Sequence, residues 1–338
     1  MRWRLTFCLY CLRLRLDCEC TLILVTGASG FVGTAVVNEL AQCDLPVRAC
    51  SRSGHNGFTG LVDSVAGVDL LSTNDFKPLL EDVTVIVHTA ARVHVMREHA
   101  TDPQAAFRLL NVDSTLRLAR QAAAAGVKRF VFVSSIKVNG ETTLIGRPFA
   151  ASDTPNPSDA YGRSKLEAEL GLQQIAMQTG LEVVIVRPPL VYGPGVKANF
   201  ARLVSCVKAG VPLPFGCATT NRRSLVAIDN LSNFLVLCTY APAAANQTFL
   251  VSDGHDVSTA ELLTCLGEAL GRPARLLPVP LGWLTAGAKI LRKTGIAQRL
   301  LGNLQIDITK ARSVLGWVPP FSLQQGLQRI ALARRAKM

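Results

Sequence analysis

A short apolar strand, a glycine-rich turn and a helix follow one another over residues 22–42, and this order constrains the fold most tightly. The strand Leu22–Val25 leads into the turn TGASGFVG. Within that turn, Gly27 permits a sharp bend, Gly30 allows the backbone to approach a pyrophosphate, and Gly33 lets the helix pack closely on the strand. Unpaired N–H groups at the start of the helix favour an anionic ligand. The motif predicts a Rossmann unit that binds a dinucleotide.

Apolar strands and helices continue to alternate as far as residue 187. Strands are predicted at 46–50, 84–88, 129–133 and 181–186, and helices at 31–42, 104–125 and 159–179. Alternation of this kind implies right-handed crossovers and a parallel sheet. The predicted class is therefore α/β, with a doubly wound parallel sheet of the Rossmann type. Ligands of such sheets bind beyond the carboxyl ends of the strands.

Proline and glycine interrupt this alternation from residue 188 onwards. We therefore predict a Rossmann domain over 21–187 and a smaller C-terminal α/β substrate-binding lobe over 188–338. Within the second part, about 224–253 is expected to return to the Rossmann domain through a strand at 247–251.

The segment 281–301 of the second lobe is apolar but basic, with Lys289, Arg292, Lys293 and Arg299. It fits a helix that lies on a membrane surface. The favoured interpretation is a lobe helix whose basic side chains are solvated. No segment after residue 20 has the long uncharged run of a transmembrane helix, so stable membrane insertion is not expected.

Residues 1–20 are interpreted as a leader outside the fold. Arg13 and Arg15 interrupt its apolar run and no small-residue cleavage site follows, which argues against a signal peptide. Its four cysteines lack the turn residues of a zinc site, so no metal is predicted; they are Cys8, Cys11, Cys18 and Cys20. The other six cysteines are typical of reduced core thiols, and the protein is expected in the cytoplasm.

The chain of 338 residues carries a net charge of +12, yet its basic residues are scattered. Without a basic block or a nucleic-acid motif, the charge indicates an anionic small substrate rather than nucleic acid.

The end of the second strand bears on the choice of cofactor. Sites that prefer NAD usually carry an acidic residue there, which accepts from the ribose hydroxyls. This chain has Ser51 and Arg52 instead, and both suit a 2′-phosphate. NADP(H) is therefore favoured, with NAD as the alternative. Beyond the three glycines and this pair, the predicted cofactor contacts are Ser29, Phe31, Val32, Asp69, Leu70, Thr89, Ala90, Ala91, Tyr161, Lys165 and Pro188.

A candidate proton-transfer group lies further along the chain. Tyr161 and Lys165 are one turn apart on a predicted helix, and a nearby ammonium is expected to lower the tyrosine pKa. Ser135 follows the strand 129–133, at the sheet edge where ligands bind. A tyrosine with a lowered pKa is a usable acid or base near neutral pH, and a serine hydroxyl can orient the reacting oxygen.

Together these motifs resemble the extended short-chain dehydrogenase/reductases, specifically the NAD-dependent epimerase/dehydratase family of nucleotide-sugar enzymes. The resemblance covers about 22–330 and rests on TGASGFVG, HTAARVHVM, NVDST, FVFVSSIKVNG, YGRSK, RPPLVYGPG and NRRSLVAIDNL. Three stretches further resemble a bacterial subgroup that is UDP-glucose 4-epimerase-like and includes 4-keto reductases of UDP-6-deoxy-hexosamines for surface polysaccharides. Those stretches are HTAARVHVM, SSIKVNG and RPPLVYGPGVKANF.

The resemblance implies roles for individual residues. Ser135, Tyr161 and Lys165 match the catalytic triad, and Lys165 also binds the nicotinamide ribose. Asn199 and Arg223 match residues that hold the uracil and diphosphate side of a UDP-sugar substrate. Asn111 matches a structural position beneath the site, and Asp229 a supporting one. The family also implies a homodimer through the helices 104–125 and 159–179. The missing acidic residue after the second strand departs from typical epimerases, as do Lys137 and Asn139.

Two activities remain open at this point, both of them hydride transfer at C4 of a UDP-hexose or UDP-hexosamine. The first is reduction of a 4-keto sugar, slightly favoured by Ser51 and Arg52. The second is 4-epimerisation. A 4,6-dehydratase is disfavoured because no Asp-Glu pair follows Ser135. A non-catalytic dinucleotide sensor is a remote alternative, because such proteins tend to lose the tyrosine–lysine pair.

Overall fold

A computed structural model describes residues 21–54, 57–93, 102–291 and 294–335. The predicted leader, with its four cysteines, lies outside the described residues, as do Arg292 and Lys293. Among the described residues, no helix has both the length and the apolarity needed to cross a bilayer.

Seven parallel strands form the central sheet, in the order β3-β2-β1-β4-β5-β6-β9. Their bounds are Leu22–Thr26 (β1), Val47–Cys50 (β2), Val62–Val65 (β3), Val83–His88 (β4), Arg129–Val133 (β5), Glu182–Arg187 (β6) and Thr248–Leu250 (β9). Two short strands, β7 (Leu190–Tyr192) and β8 (Leu225–Ala227), pair in parallel outside this sheet. The doubly wound α/β fold predicted from the sequence is confirmed.

Helices cover both faces of the sheet and build the C-terminal part of the chain. They are α1 (Phe31–Gln42), α2 (Lys77–Leu80), α3 (Pro103–Arg108), α4 (Ser114–Ala124), α5 (Ala160–Thr179), α6 (Ala198–Ala209), α7 (Ile228–Tyr240), α8 (Thr259–Ala269), α9 (Leu281–Ile290), α10 (Thr294–Leu301), α11 (Thr309–Leu315) and α12 (Leu323–Arg335). One apolar core lies on each face of the sheet, and a third lies under α6, α8 and α12.

The chain reverses its direction across the sheet between β1 and β4. From β1 it proceeds outwards to β2 and β3, then returns to place β4 on the other side of β1. A crevice forms beyond the carboxyl ends of the strands at such a reversal, and ligands of open α/β sheets bind there. The turn that contains Gly27 and the loop that begins at Thr89 both lie at this position.

Strand β3 was not predicted because it does not read as an apolar run. Its sequence is Val-Asp-Ser-Val, and none of its four residues is buried. It is the edge strand of the sheet and pairs with β2 alone in the described structure. An edge strand that faces solvent lacks the continuous apolar pattern of the central strands.

The single helix predicted at 104–125 is divided in the structure. A π turn at Leu109–Asp113 separates α3 from α4. The turn contains Asn111, whose buried side chain contacts the Arg92 backbone and Ser164 of α5. A π turn adds one residue to a helix, and such turns are frequent at functional sites.

Candidate active site

The turn between β1 and α1 accommodates only glycine at two positions. Gly27 has a φ of +72°, and a Cβ atom there would lie 2.7 Å from the Ala90 nitrogen. A Cβ atom on Gly33 would lie 2.1 Å from the Gly27 carbonyl oxygen. The Gly30 amide donates to the same oxygen at 2.9 Å, which closes the turn.

The start of α1 suits a dinucleotide phosphate. In the described structure, no side chain caps this helix and its first turn contains no acidic residue. Its first N–H groups are therefore available to an anion, beside the exposed Ser29 and Gly30. Phe31 and Val32 are partly buried and follow directly. These residues fit the pyrophosphate of a nicotinamide dinucleotide.

The end of β4 is tied to the glycine turn. The Thr89 hydroxyl donates to the Thr26 carbonyl at 2.7 Å, and Ala90 and Ala91 follow it, both partly buried. The His88 ring is fully buried and contacts the Thr26 and Thr115 hydroxyls at 2.8 and 3.0 Å. Burial and the Lys165 ammonium lower the His88 pKa to about 3, so this histidine is neutral. Its two hydrogen bonds connect β4 to β1 and to α4.

The structure separates the two residues expected to choose the cofactor. Ser51 is buried at the end of β2, whereas Arg52 is exposed. Asp69 accepts a hydrogen bond from the Leu71 amide at 3.1 Å, and the buried Leu70 follows it. Residues 51–54 contain no carboxylate, so Arg52 is the charged side chain that this loop offers to an adenosine ribose.

Ser135 and Tyr161 meet at the carboxyl end of β5. Ser135 lies in extended backbone after the strand, and its side chain shares a hydrogen bond with the phenol of Tyr161. Asp159 begins α5 by accepting from the Gly162 amide at 2.7 Å, and this fixes the first turn, which carries Tyr161. Lys137 forms an ion pair with Asp159, so this departure from the family pattern supports the helix start.

Burial raises the pKa of Tyr161 above its usual value, with a further increase from the Asp159 carboxylate and a smaller opposing effect of the Ser135 hydrogen bond. The expectation of a lowered Tyr161 pKa is therefore wrong for this structure, because burial is the largest influence on the phenol. The sequence shows the spacing of the two residues but not the burial of the phenol. At neutral pH, Tyr161 is protonated.

Lys165 is almost completely buried below Tyr161. Its ammonium donates to the Val133 carbonyl at 2.8 Å and lies 4.4 Å from the centre of the Phe132 ring. Burial lowers the Lys165 pKa to about 7, although the Glu169 carboxylate acts in the opposite direction. Both protonation states of Lys165 are therefore populated near neutral pH.

A buried ion pair under the site was missed by sequence reasoning. Glu169 and Arg187 contact each other through two guanidinium nitrogens, at 2.9 and 2.5 Å. Glu169 also accepts from Ser134, and Arg187 donates to Asn139 at 2.9 Å. This network joins α5 to β6 directly beneath Ser135. The sequence carries no local signal for this pair, because its partners lie 18 residues apart on a helix and a strand.

The predicted substrate residues are spread over the C-terminal part. Asn199 is exposed on the first turn of α6. Arg223 is partly buried and donates to the Gly302 carbonyl at 3.1 Å. Burial and the neighbouring Arg299 lower the Arg223 pKa to about 10, so the guanidinium stays charged at neutral pH. Among the described residues neither Arg223 nor Arg299 forms an ion pair, and two neighbouring guanidinium groups favour an anionic ligand.

Two other residues named by the sequence analysis, Asp229 and Pro188, make contacts within the fold. Asp229 forms an ion pair with Arg329 at 2.9 Å, which fits a supporting position. Pro188 is buried, and its carbonyl oxygen accepts from the Ile136 amide at 3.0 Å. That bond holds the segment after Ser135 against the end of β6.

The chain is similar to known proteins over most of its length. The model of the NAD dependent epimerase/dehydratase family matches residues 23–251. A UDP-glucose 4-epimerase of Vibrio cholerae is 49% identical over 312 residues, which cover 92% of this chain and 94% of the relative. An N-acetyl-alpha-D-glucosaminyl-diphospho-ditrans,octacis-undecaprenol 4-epimerase of Escherichia coli O157:H7 is 26% identical over 91% of this chain and 93% of that protein.

The solved structures show the same fold. UDP-glucuronic acid 4-epimerase from Bacillus cereus, in complex with NAD, matches with a TM-score of 0.75 at 20% identity, over 94% of this chain and 99% of that one. The chain therefore belongs to the NAD-dependent epimerase/dehydratase family and is an enzyme that uses a nicotinamide dinucleotide.

Proposed function

We propose that the protein catalyses hydride transfer at C4 of a UDP-hexose or UDP-hexosamine, with 4-epimerisation as the net reaction. The observation that carries the proposal is the hydrogen-bonded pair of Ser135 and Tyr161 above the buried Lys165, at the sheet edge that also holds the Gly27 turn. The extensive similarity to a UDP-glucose 4-epimerase supports C4 as the reacting carbon.

The chain's own residues supply proton transfer and orientation. The nicotinamide ring supplies the hydride acceptor and donor when the cofactor is bound. Tyr161 exchanges a proton with the sugar O4, and Ser135 holds that oxygen by a hydrogen bond. The Lys165 ammonium stabilises the phenolate that forms when Tyr161 gives up its proton. Arg223 and Arg299 would bind the diphosphate, and Asn199 the uracil side.

In the proposed substrate, the sugar is attached to UDP. Both curated relatives act, by their names, on a sugar joined to a diphosphate, in one case a nucleotide and in the other a polyprenol. The pair Arg223 and Arg299 suits the diphosphate that these substrates share. The match of Asn199 to the family's uracil-binding position favours the nucleotide.

Reduction of a UDP-4-keto-6-deoxy-hexosamine with NADPH is the second candidate. Two observations favour it: the exposed Arg52 with no carboxylate beside it, and the raised pKa of Tyr161, which keeps the phenol in its proton-donating form. The reacting residues are the same in both candidates, so the cofactor and the fate of its hydride distinguish them.

Identification of the cofactor and of the product tests both candidates. The purified full-length protein would be denatured to release any bound nucleotide, which mass spectrometry identifies as NAD or NADP. Nuclear magnetic resonance would then follow the protein with UDP-glucose or UDP-N-acetylglucosamine. Retained NAD and inversion at C4 are expected for the epimerase. Oxidation of added NADPH by a UDP-4-keto sugar would establish the reductase instead, and absence of both activities would contradict the proposal.

Arg52 gives a prediction about cofactor choice. If its guanidinium binds a 2′-phosphate, Arg52→Ala should weaken NADPH binding by roughly 10–100-fold, which corresponds to one hydrogen bond between charged groups. NADH binding should change little, because NADH lacks that phosphate. Fluorescence titration of both nucleotides measures the effect, with the exposed Arg120→Ala as the matched control. Equal weakening of the two nucleotides would show that Arg52 covers the adenine instead.

A further inference from the structure

The helix α9 differs from an ordinary surface helix because none of its ten described residues is buried. Trp283 is 75% exposed and Ile290 is 82% exposed. Residues seven apart lie on the same face of a helix, so these two large apolar side chains form one stripe. The large apolar side chains of α9 are therefore left uncovered by the rest of the described structure.

The neighbouring residues extend this stripe. Leu291, directly after α9, is 66% exposed, and Ile296 of α10 is also exposed. The helices α9 and α10 pack against each other. We call the set Trp283, Lys289, Ile290, Leu291 and Ile296 the Trp283 surface. Contiguous exposed apolar residues of this size mark an interaction site more often than a plain solvent face.

The chain segment that carries the Trp283 surface has charges of a single sign. Residues 269–306 contain six basic residues and no aspartate or glutamate. They are Arg272, Arg275, Lys289, Arg292, Lys293 and Arg299. Apolar side chains with tryptophan among them, together with basic residues, are typical of a helix that lies in the interface of an anionic membrane.

We propose that the Trp283 surface docks the protein on a bilayer that contains anionic phospholipid. A second copy of the chain is a poorer occupant. A symmetric pairing through this surface would bring two basic segments together, and these segments themselves contain no carboxylate to compensate the repulsion. An anionic headgroup layer neutralises those charges and accepts the apolar side chains. The docking is peripheral, because no described helix can span a bilayer.

The Trp283 surface connects directly to the substrate lobe. Leu300, in the last turn of α10, accepts hydrogen bonds from Thr259 and Asn221 through its carbonyl oxygen. Gly302, two residues further, accepts from Arg223. The Trp283 surface is therefore linked to the segment that contacts Arg223, which is proposed to bind the diphosphate. The docking itself does not depend on the proposed function, and its test uses no turnover.

Vesicle binding by the full-length protein tests the proposal. Sedimentation with phosphatidylglycerol–phosphatidylcholine vesicles is compared with sedimentation with pure phosphatidylcholine vesicles. We expect binding to the anionic vesicles that weakens as salt rises. A blue shift of the tryptophan emission should accompany it in Trp3→Phe and should disappear in Trp3→Phe/Trp283→Phe, since the remaining Trp317 is buried. The double variant Ile290→Ser/Leu291→Ser should lower the partition coefficient by about tenfold.

Matched variants exclude indirect effects. Leu144 and Ile145 are 68% and 62% exposed, so Leu144→Ser/Ile145→Ser removes a similar apolar pair elsewhere and should bind as the unaltered protein does. Circular dichroism and thermal unfolding confirm that each variant folds. Lack of binding at low salt overturns the proposal, and so does equal binding by both double variants. Self-association that Ile290→Ser/Leu291→Ser abolishes, without vesicle binding, would show that the occupant is a second copy.

Discussion

Replacing Tyr161 with phenylalanine should lower the turnover number by roughly 10²–10⁴-fold, the range that a positioned proton donor or acceptor contributes. The phenylalanine ring can keep the edge contact of Tyr161 with Phe107, whose ring centre lies 6.1 Å away. The variant therefore keeps the packing at the start of α5. What it loses is the hydroxyl that bonds to Ser135 and that we propose exchanges a proton with the sugar.

Turnover of the UDP-sugar and binding of the cofactor should be measured on the same preparation. Cofactor affinity is expected to stay within a few-fold, because the phosphate-binding turn and Lys165 are unchanged. Tyr240→Phe, on α7, is the matched control and should keep full turnover. Unchanged turnover in Tyr161→Phe would show that another group carries the proton. Loss of cofactor binding along with turnover would assign Tyr161 a role in building the nucleotide site.

Replacing Glu169 with glutamine should lower the free energy of unfolding by about 3–5 kcal/mol, the cost of breaking a buried ion pair from one side. The Glu169 side chain is only 2% exposed, and its partner Arg187 is buried with it. Glutamine keeps the size of the side chain but leaves the guanidinium charge without a carboxylate. Water cannot reach that charge to compensate the loss.

Urea unfolding followed by circular dichroism measures this difference. The control is Asp63→Asn, which removes the carboxylate of the Arg48 pair. The Asp63 side chain is 56% exposed, so the change there should cost at most about 1 kcal/mol. A loss in Glu169→Gln no larger than in Asp63→Asn would show that Ser134 and Asn139 hold the network without the charge. The Lys165 pKa should also fall in Glu169→Gln, because the carboxylate that raises it is removed.

The glycine-rich turn between β1 and α1 was predictable because its determinants are local. A glycine is required wherever a Cβ atom would meet backbone, and both Gly27 and Gly33 lie within a few residues of the strand they follow. The same holds for the strands β1, β4, β5 and β6, which are continuous apolar runs. The edge strand β3 was not predictable in this way, because its two central residues are exposed and only its terminal valines pack, partly buried, against the cores.

The properties that depend on distant packing could not be predicted. Glu169 and Arg187 read as ordinary charged residues of a helix and a strand, and only the docking of α5 on β6 buries them together. The pKa of Tyr161 was expected to fall because the spacing to Lys165 was visible, whereas the burial that raises it was not. Helix α9 followed an apolar pattern, yet the fold leaves it uncovered.

The π turn between α3 and α4 makes the position of Asn111 depend on the number of residues in this helix pair as well as on their identity. Successive residues of a regular helix are rotated by about 100°. Loss of a single residue between Leu109 and Asp113 would restore a regular helix and turn Asn111 away from Ser164 and the Arg92 backbone. Deletion of one residue there would therefore remove the support that Asn111 gives to α5, although it would make the local backbone more regular.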